Sequence, residues 1–272
     1  MPSDTRDGTT IAMPRLLAKF LIASFAITTA NTSLIAADQL AELPRGKQVA
    51  QSATIVVKQG DLSREATLRY WLYVPQAADE KKQLPLLLFL HGSGERGDDL
   101  EVVKKHGPPK IVEQQADFPF ITISPQCPAG VRWNAVELSN FVDHLTNSLP
   151  VDRRRVYLTG LSMGGAGSWS LLAAQPNTFA AAVIICGRGD VASAPQLVKT
   201  PLWVFHGAKD TTVPLSASVE MVEAIQKAGG KNVKLTVYDN AAHDSWTETY
   251  DAPETFEWLL RHTLPDDKAK SQ

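Results

Sequence analysis

The chain predicts an α/β protein built on one doubly wound, mostly parallel sheet, and three observations predict it. Short runs at 85–90, 118–123, 155–159, 180–185 and 201–205 are nearly all apolar and bounded by turn residues, the pattern of strands covered on both faces. Segments with apolar residues at helical spacing fall between them. The alternation of the two over about 200 residues calls for a parallel sheet with helices on both sides.

The elements follow in order. Residues 1–8 are polar, Arg15 and Lys19 are basic, 20–27 is apolar, and small residues continue to Ala36-Ala37. This is the layout of an export signal, assigned to 1–37. Its apolar part is shorter than the roughly 20 residues a membrane span needs. Translation from Met13 would place Arg15 and Lys19 in a conventional short basic region. Export to a periplasm or the exterior is expected, with no stable membrane insertion after cleavage. A polar arm at 38–52 leads to the main domain at 53–264. There, 53–58 and 67–74 alternate around Gly60-Asp61 and read as an antiparallel hairpin at a sheet edge. Asn134 with Glu137 makes a capping box before Leu138, Phe141, Val142 and Leu145, and Pro150 stops that helix. Helices are also expected after Ser162 up to Pro176, over 216–228 before Gly229-Gly230, and from Pro253. The run 233–238 reads as a last strand near the other edge, and 265–272 as a polar tail. Arg153-Arg154-Arg155 is expected to be a solvated turn before a strand.

A content of 44% hydrophobic and 21% charged residues in 272 fits one globular domain. A formal net charge of -2 gives no case for nucleic acid. The two cysteines, Cys127 and Cys186, make no disulfide scaffold and are expected to be unpaired.

Chemistry concentrates at Gly160-Leu161-Ser162-Met163-Gly164-Gly165, an apolar run followed by Gly-x-Ser-x-Gly and a helical segment. A strand that turns abruptly into a helix holds its serine outward, as a nucleophile elbow does. A serine hydroxyl needs a base within hydrogen-bond reach and a carboxylate to orient that base. Of the downstream histidines, His243 lies in a loop directly after the last strand and is the candidate base; His206 ends a buried strand and His262 sits in the closing helix. Asp210, on the loop after 201–205, is the candidate acid, with Asp190 as rival and helix or turn capping as the bland alternative for either. Two backbone N–H groups should meet the oxyanion: that of Met163, and one from the loop His91-Gly92-Ser93-Gly94-Glu95-Arg96-Gly97. Ser93 is favoured there, then Gly94. His91 reads as a structural residue, and Glu95 with Arg96 as a brace for the loop or a substrate contact. Trp133, Trp246 and Met163 are candidates for lining a substrate pocket. No cofactor is implied, and no metal, because no His-x-x-x-His or similar ligand spacing occurs.

Taken together, Leu90 to Gly97, Ser124-Pro125-Gln126-Cys127-Pro128, the serine motif, Phe205-His206-Gly207-Ala208-Lys209-Asp210 and Ala242-His243-Asp244-Ser245-Trp246 resemble a known family. They look like the α/β-hydrolase esterases related to prolyl oligopeptidase and to the phospholipase/carboxylesterase group, often labelled predicted peptidases. The resemblance runs from Ala53 to His262. It implies a single-domain α/β-hydrolase fold and a serine-hydrolase triad of Ser162, Asp210 and His243.

The interval 187–200 is too short for a helical lid, so the serine is expected to be open to solvent, with no large lid domain. The expectation is an exported serine carboxylesterase acting on small-molecule or polymer-linked esters, with acetyl, feruloyl or short-chain acyl groups. The competing readings are a serine peptidase of the prolyl oligopeptidase type and a non-catalytic binding protein on the same scaffold.

Overall fold

The computed structural model describes residues 44–79 and 82–266. The signal at 1–37, the start of the arm and residues 267–272 of the tail lie outside the described residues. One eight-stranded sheet runs through the rest in the order β1-β2-β4-β3-β5-β6-β7-β8. Its strands are β1 (Gln48–Gln59), β2 (Leu62–Tyr73), β3 (Leu84–Leu90), β4 (Ile121–Pro125), β5 (Val151–Leu161), β6 (Ala181–Ile185), β7 (Leu202–Gly207) and β8 (Val233–Tyr238). The β1–β2 hairpin and the β2–β4 pair are antiparallel, and all other neighbours are parallel.

Helices cover both faces, as the apolar strands require. Leu86 to Leu90 in β3 are all 0% exposed. On one face α2 (Ala135–Ser148), α3 (Met163–Ala174) and α5 (Ser216–Lys227) bury Phe141, Trp169 and Met221. On the other, α6 (Trp246–Asp251) and α7 (Pro253–Leu260) bury Tyr250 and Phe256, near the short α1 (Gly107–Ile111). The Asn134 side chain accepts from the Glu137 N–H and caps α2 as its sequence predicts. No helix among the described residues is long and apolar enough to cross a membrane.

Several strand boundaries differ from expectation. Strand β1 begins at Gln48 rather than Ala53: Gln48 to Ser52 pair with Tyr73 to Arg69, and polar side chains are tolerated there because β1 is the open edge. Strand β4 begins at Ile121, because Phe118 and Phe120 leave the sheet to meet the Phe256 ring, 4.9 and 6.4 Å away. Strand β5 reaches back to Val151 and contains the three arginines. They are not a free turn: Arg153 donates to Thr146 O and Asn147, Arg154 pairs with Asp266, and Arg155 with Asp152. The interval 187–200 holds only a 3-10 turn and the four-residue α4 (Ala194–Leu197), whose Ala194 and Leu197 are buried in the core. It packs against α3 and α5.

Candidate active site

Ser162 stands between the end of β5 and the start of α3, with φ 52° and ψ −115°. Only Ser162 and Cys186 among the described non-glycine residues have positive φ. Such conformations cost roughly 1–3 kcal/mol and persist only when the surroundings impose them. Here the Ser162 N–H is tied to Ile185 O at 2.9 Å. Glycine is required beside it: a Cβ on Gly164 would stand 1.8 Å from Leu90 O, and one on Gly160 2.5 Å from Gly164 O. The start of α3 therefore presses directly on the end of β3. Met163, the first residue of that helix, has no intrahelical acceptor for its N–H.

The loops after β5, β7 and β8 bring Ser162, Asp210 and His243 together. His243 Nδ1 lies 2.7 Å from Asp210 Oδ2, and Nε2 lies 2.9 Å from Ser162 Oγ. A carboxylate only accepts, so the neutral ring carries its proton at Nδ1, and Nε2 is left to accept from the serine hydroxyl. Asp210 Oδ1 accepts from the Thr212 and Val213 N–H groups at 2.8 and 2.9 Å. Burial pushes the Asp210 carboxyl upward, but the bonds from His243, Val213 and Thr212 outweigh it and hold it below the usual carboxylate range. Asp190, the rival acid, instead caps the turn after β6 by accepting from the Ala192 N–H.

A further group that the sequence reading left unused also reaches Asp210. His206 is fully buried, with Nε2 2.8 Å from Val213 O and 3.2 Å from Asp210 Oδ2. Its Nδ1 is 2.7 Å from Ser218 Oγ. Because Val213 O can only accept, the His206 proton is on Nε2 and is shared with the carboxylate. The signal in the sequence is a histidine closing an apolar strand four residues before a candidate acid.

The loop after β3 has different internal bonds from those expected. Ser93, Gly94 and Glu95 form a 3-10 turn. Arg96 holds that turn by donating to Ser93 O and Val131 O. Glu95 is buried, 4.0 Å from His91 Nδ1 and 3.8 Å from His106 Nε2. His91 Nε2 accepts from the Cys127 N–H at 2.9 Å, so its proton is on Nδ1 and goes to Gly92 O. Burial holds this imidazole down at about 4.

Trp133 donates to His91 O at 3.0 Å and lines a cavity of about 250 Å³ with Cys127, Pro128 and Arg132. Trp246 is half-buried between His243 and His106, its ring centroid 5.3 and 5.5 Å from theirs, and lies beside the base. Cys127 and Cys186 are both free and buried. Cys186 follows β6, and burial pushes its thiol up to about 12.

The sheet order with helices on both faces and a serine at a strand-to-helix turn defines the α/β-hydrolase fold. Comparison with known proteins narrows this. A family model described as Phospholipase/Carboxylesterase matches residues 118–256, and the chain belongs to that family. It is 26% identical over 168 residues to a "Probable feruloyl esterase C" of Aspergillus terreus, covering 59% of this chain and 62% of that protein. It is 28% identical over 130 residues to a poly(3-hydroxyoctanoate) depolymerase of Pseudomonas fluorescens, covering 39% of this chain and 47% of that one. The chain thus spans less than two thirds of the length of the curated relatives it matches. A solved structure of a thermostable esterase superposes with a TM-score of 0.64 at 30% identity, over 78% of this chain and 63% of its own. An acylaminoacyl peptidase of Pyrococcus horikoshii, at 16% identity and a TM-score of 0.54, shares the fold.

Proposed function

We propose that the protein is an exported serine carboxylesterase, with Ser162 as nucleophile, His243 as base and Asp210 as the acid that orients the base. The observation that carries this reading is the continuous bond path from Ser162 Oγ through His243 to Asp210. Ser162 Oγ attacks the ester carbonyl while His243 Nε2 takes its proton, and Asp210 stabilises the imidazolium that forms. The Met163 N–H and the Ser93 N–H receive the oxyanion. The ring then returns its proton to the leaving alcohol, and water releases the acyl group by the same steps in reverse. Feruloyl, acetyl and short-chain acyl esters, small or polymer-linked, are the proposed substrates; the name of one relative above supports a feruloyl ester and that of another a polyester. Export rests on the layout of residues 1–37. The partly exposed Ser162 and the short 187–200 interval suit substrates that enter without a lid.

The test is hydrolysis of p-nitrophenyl acetate against a matched anilide, with wild type and Ser162→Ala. The ester should be turned over and the anilide not, and Ser162→Ala should lower kcat by about 10⁶. A fluorophosphonate probe should label Ser162. Equal turnover of the anilide would make the protein a peptidase, and no adduct at Ser162 would make it a binding protein.

A further inference from the structure

Glu95 is 5% exposed, and a buried carboxylate is costly unless donors or a cation meet it. Among the described residues no N–H or O–H group donates to this one. Its two neighbours are imidazoles that stop short. His91 Nδ1 is 4.0 Å away and gives its proton to Gly92 O, and His106 Nε2 is 3.8 Å away. Burial holds both rings below the usual imidazole range, so neither supplies a positive charge near neutral pH. The His106 ring makes no hydrogen bond among the described residues either, and 22% of its side chain stays exposed. A neutral imidazole can carry its proton at Nε2. The gap of 3.8 Å is too long for a direct bond, yet one oxygen can bridge it by accepting from His106 Nε2 and donating to Glu95 Oε1. A hydroxyl does both, whereas an ammonium only donates and a carboxylate only accepts.

The pair stands beside the reacting groups. A Cβ on Gly92 would lie 3.2 Å from Glu95 Oε2 and 3.7 Å from Ser162 Cβ, so little more than that glycine separates the carboxylate from the serine. On the other side Trp246 links His106 to His243, with ring centroids 5.5 and 5.3 Å from its own. In the proposed reaction His243 returns a proton to the leaving alcohol, so the alcohol portion of the ester lies next to that ring. We infer that Glu95 and His106 form a hydroxyl-binding subsite for the alcohol portion of the substrate, and that they select polyhydroxylated alcohols such as a sugar. This rests on the esterase reading and supplies the alcohol class, which that reading leaves open.

The preference is measured by pH-stat with two acetate esters: glucose acetylated on its primary hydroxyl, and cyclohexylmethyl acetate, a ring of the same size without hydroxyls. Wild type should favour the glucose ester by about tenfold or more in kcat/KM, because a site built around a hydroxyl rejects the analogue that lacks it. Glu95→Leu and His106→Leu should each remove most of that preference. Glu95→Gln, whose amide oxygen still accepts, should keep part of it. A variant that merely loses folded protein lowers both rates together and leaves their ratio alone. Binding is read without turnover by saturation-transfer NMR of the glucose ester on Ser162→Ala. The sugar protons should show transfer, and adding Glu95→Leu should weaken it. No preference for the glucose ester in wild type, or a preference that both leucine variants leave intact, would overturn the subsite and leave a bridging water as its occupant. Wild type that hydrolyses neither ester nor p-nitrophenyl acetate would count against the esterase reading, and the transfer signal on Ser162→Ala would then decide the subsite.

Discussion

Strands β3 and β7 both run into the dipeptide His-Gly, at His91-Gly92 and His206-Gly207, and both imidazoles are 0% exposed, yet their nitrogens are used in opposite ways. His91 accepts at Nε2 from the Cys127 N–H and donates from Nδ1 to Gly92 O, so all of its bonds go to backbone. His206 donates from Nε2 to Val213 O and towards Asp210, and accepts at Nδ1 from Ser218. One ring fixes the path of a loop; the other adds a donor to a buried carboxylate. The difference teaches that a buried histidine is assigned by what its second nitrogen meets, which a short motif does not state.

The sharpest way to break the comparison is at the carboxylate that His206 serves. Asp210→Asn should lower kcat/KM for p-nitrophenyl acetate by about 10⁴, because an amide favours the wrong tautomer of the base. A loss under tenfold would show that Asp210 is not the acid. Next comes His206 itself, which acts through Asp210 as a positioning residue. His206→Phe removes a hydrogen bond to a charged group, worth about 1.5–3 kcal/mol, so kcat should fall roughly 10- to 100-fold with KM unchanged. His206→Gln, which restores an N–H donor, should recover most of it in the same steady-state assay. A merely structural histidine would change stability without this split between kcat and KM.

The smallest effect on turnover is expected at His91, where it should stay within about tenfold in His91→Gln, which keeps an acceptor for Cys127. Stability should respond instead. The folded ring titrates at about 4 and the free ring at 6.5, so between those values the unfolded chain binds more protons. The contribution is complete above pH 6.5 and is lost as the pH falls to about 4. It amounts to about 3 kcal/mol at most. Thermal unfolding at pH 7 and pH 4 should show a larger drop in Tm for wild type than for His91→Gln. An equal drop in the two would remove His91 as the acid-sensitive group.

Much of the fold was legible because its strands are buried on both faces and therefore apolar at nearly every position, as 85–90 and 180–185 show. The cap at Asn134 and the stop at Pro150 were legible for local reasons. Edges were not: β1 begins in polar residues and β5 in charged ones, where pairing partners far along the chain decide the outcome. The short helices at 107–111 and 246–251 carry too few apolar repeats to stand out. At the site, the positions of Ser162, Asp210 and His243 at the ends of strands placed them on one rim. Cys186 and His206 were missed as neighbours of Asp210 because sequence gives no distance between side chains on adjacent strands. The expected brace between Glu95 and Arg96 is replaced by burial of Glu95 beside His91 and His106.

The loop that carries His243 rests on β7 with almost no space between: a Cβ on Gly207 would stand 2.1 Å from Ala242 O, and Lys209 N–H is bonded to Ala241 O. That loop leaves β8, an edge strand and the last strand along the described chain. On the proposed triad, the proton acceptor of Ser162 therefore reaches the site only when this edge strand docks, and a chain without β8 in place holds its serine without a base.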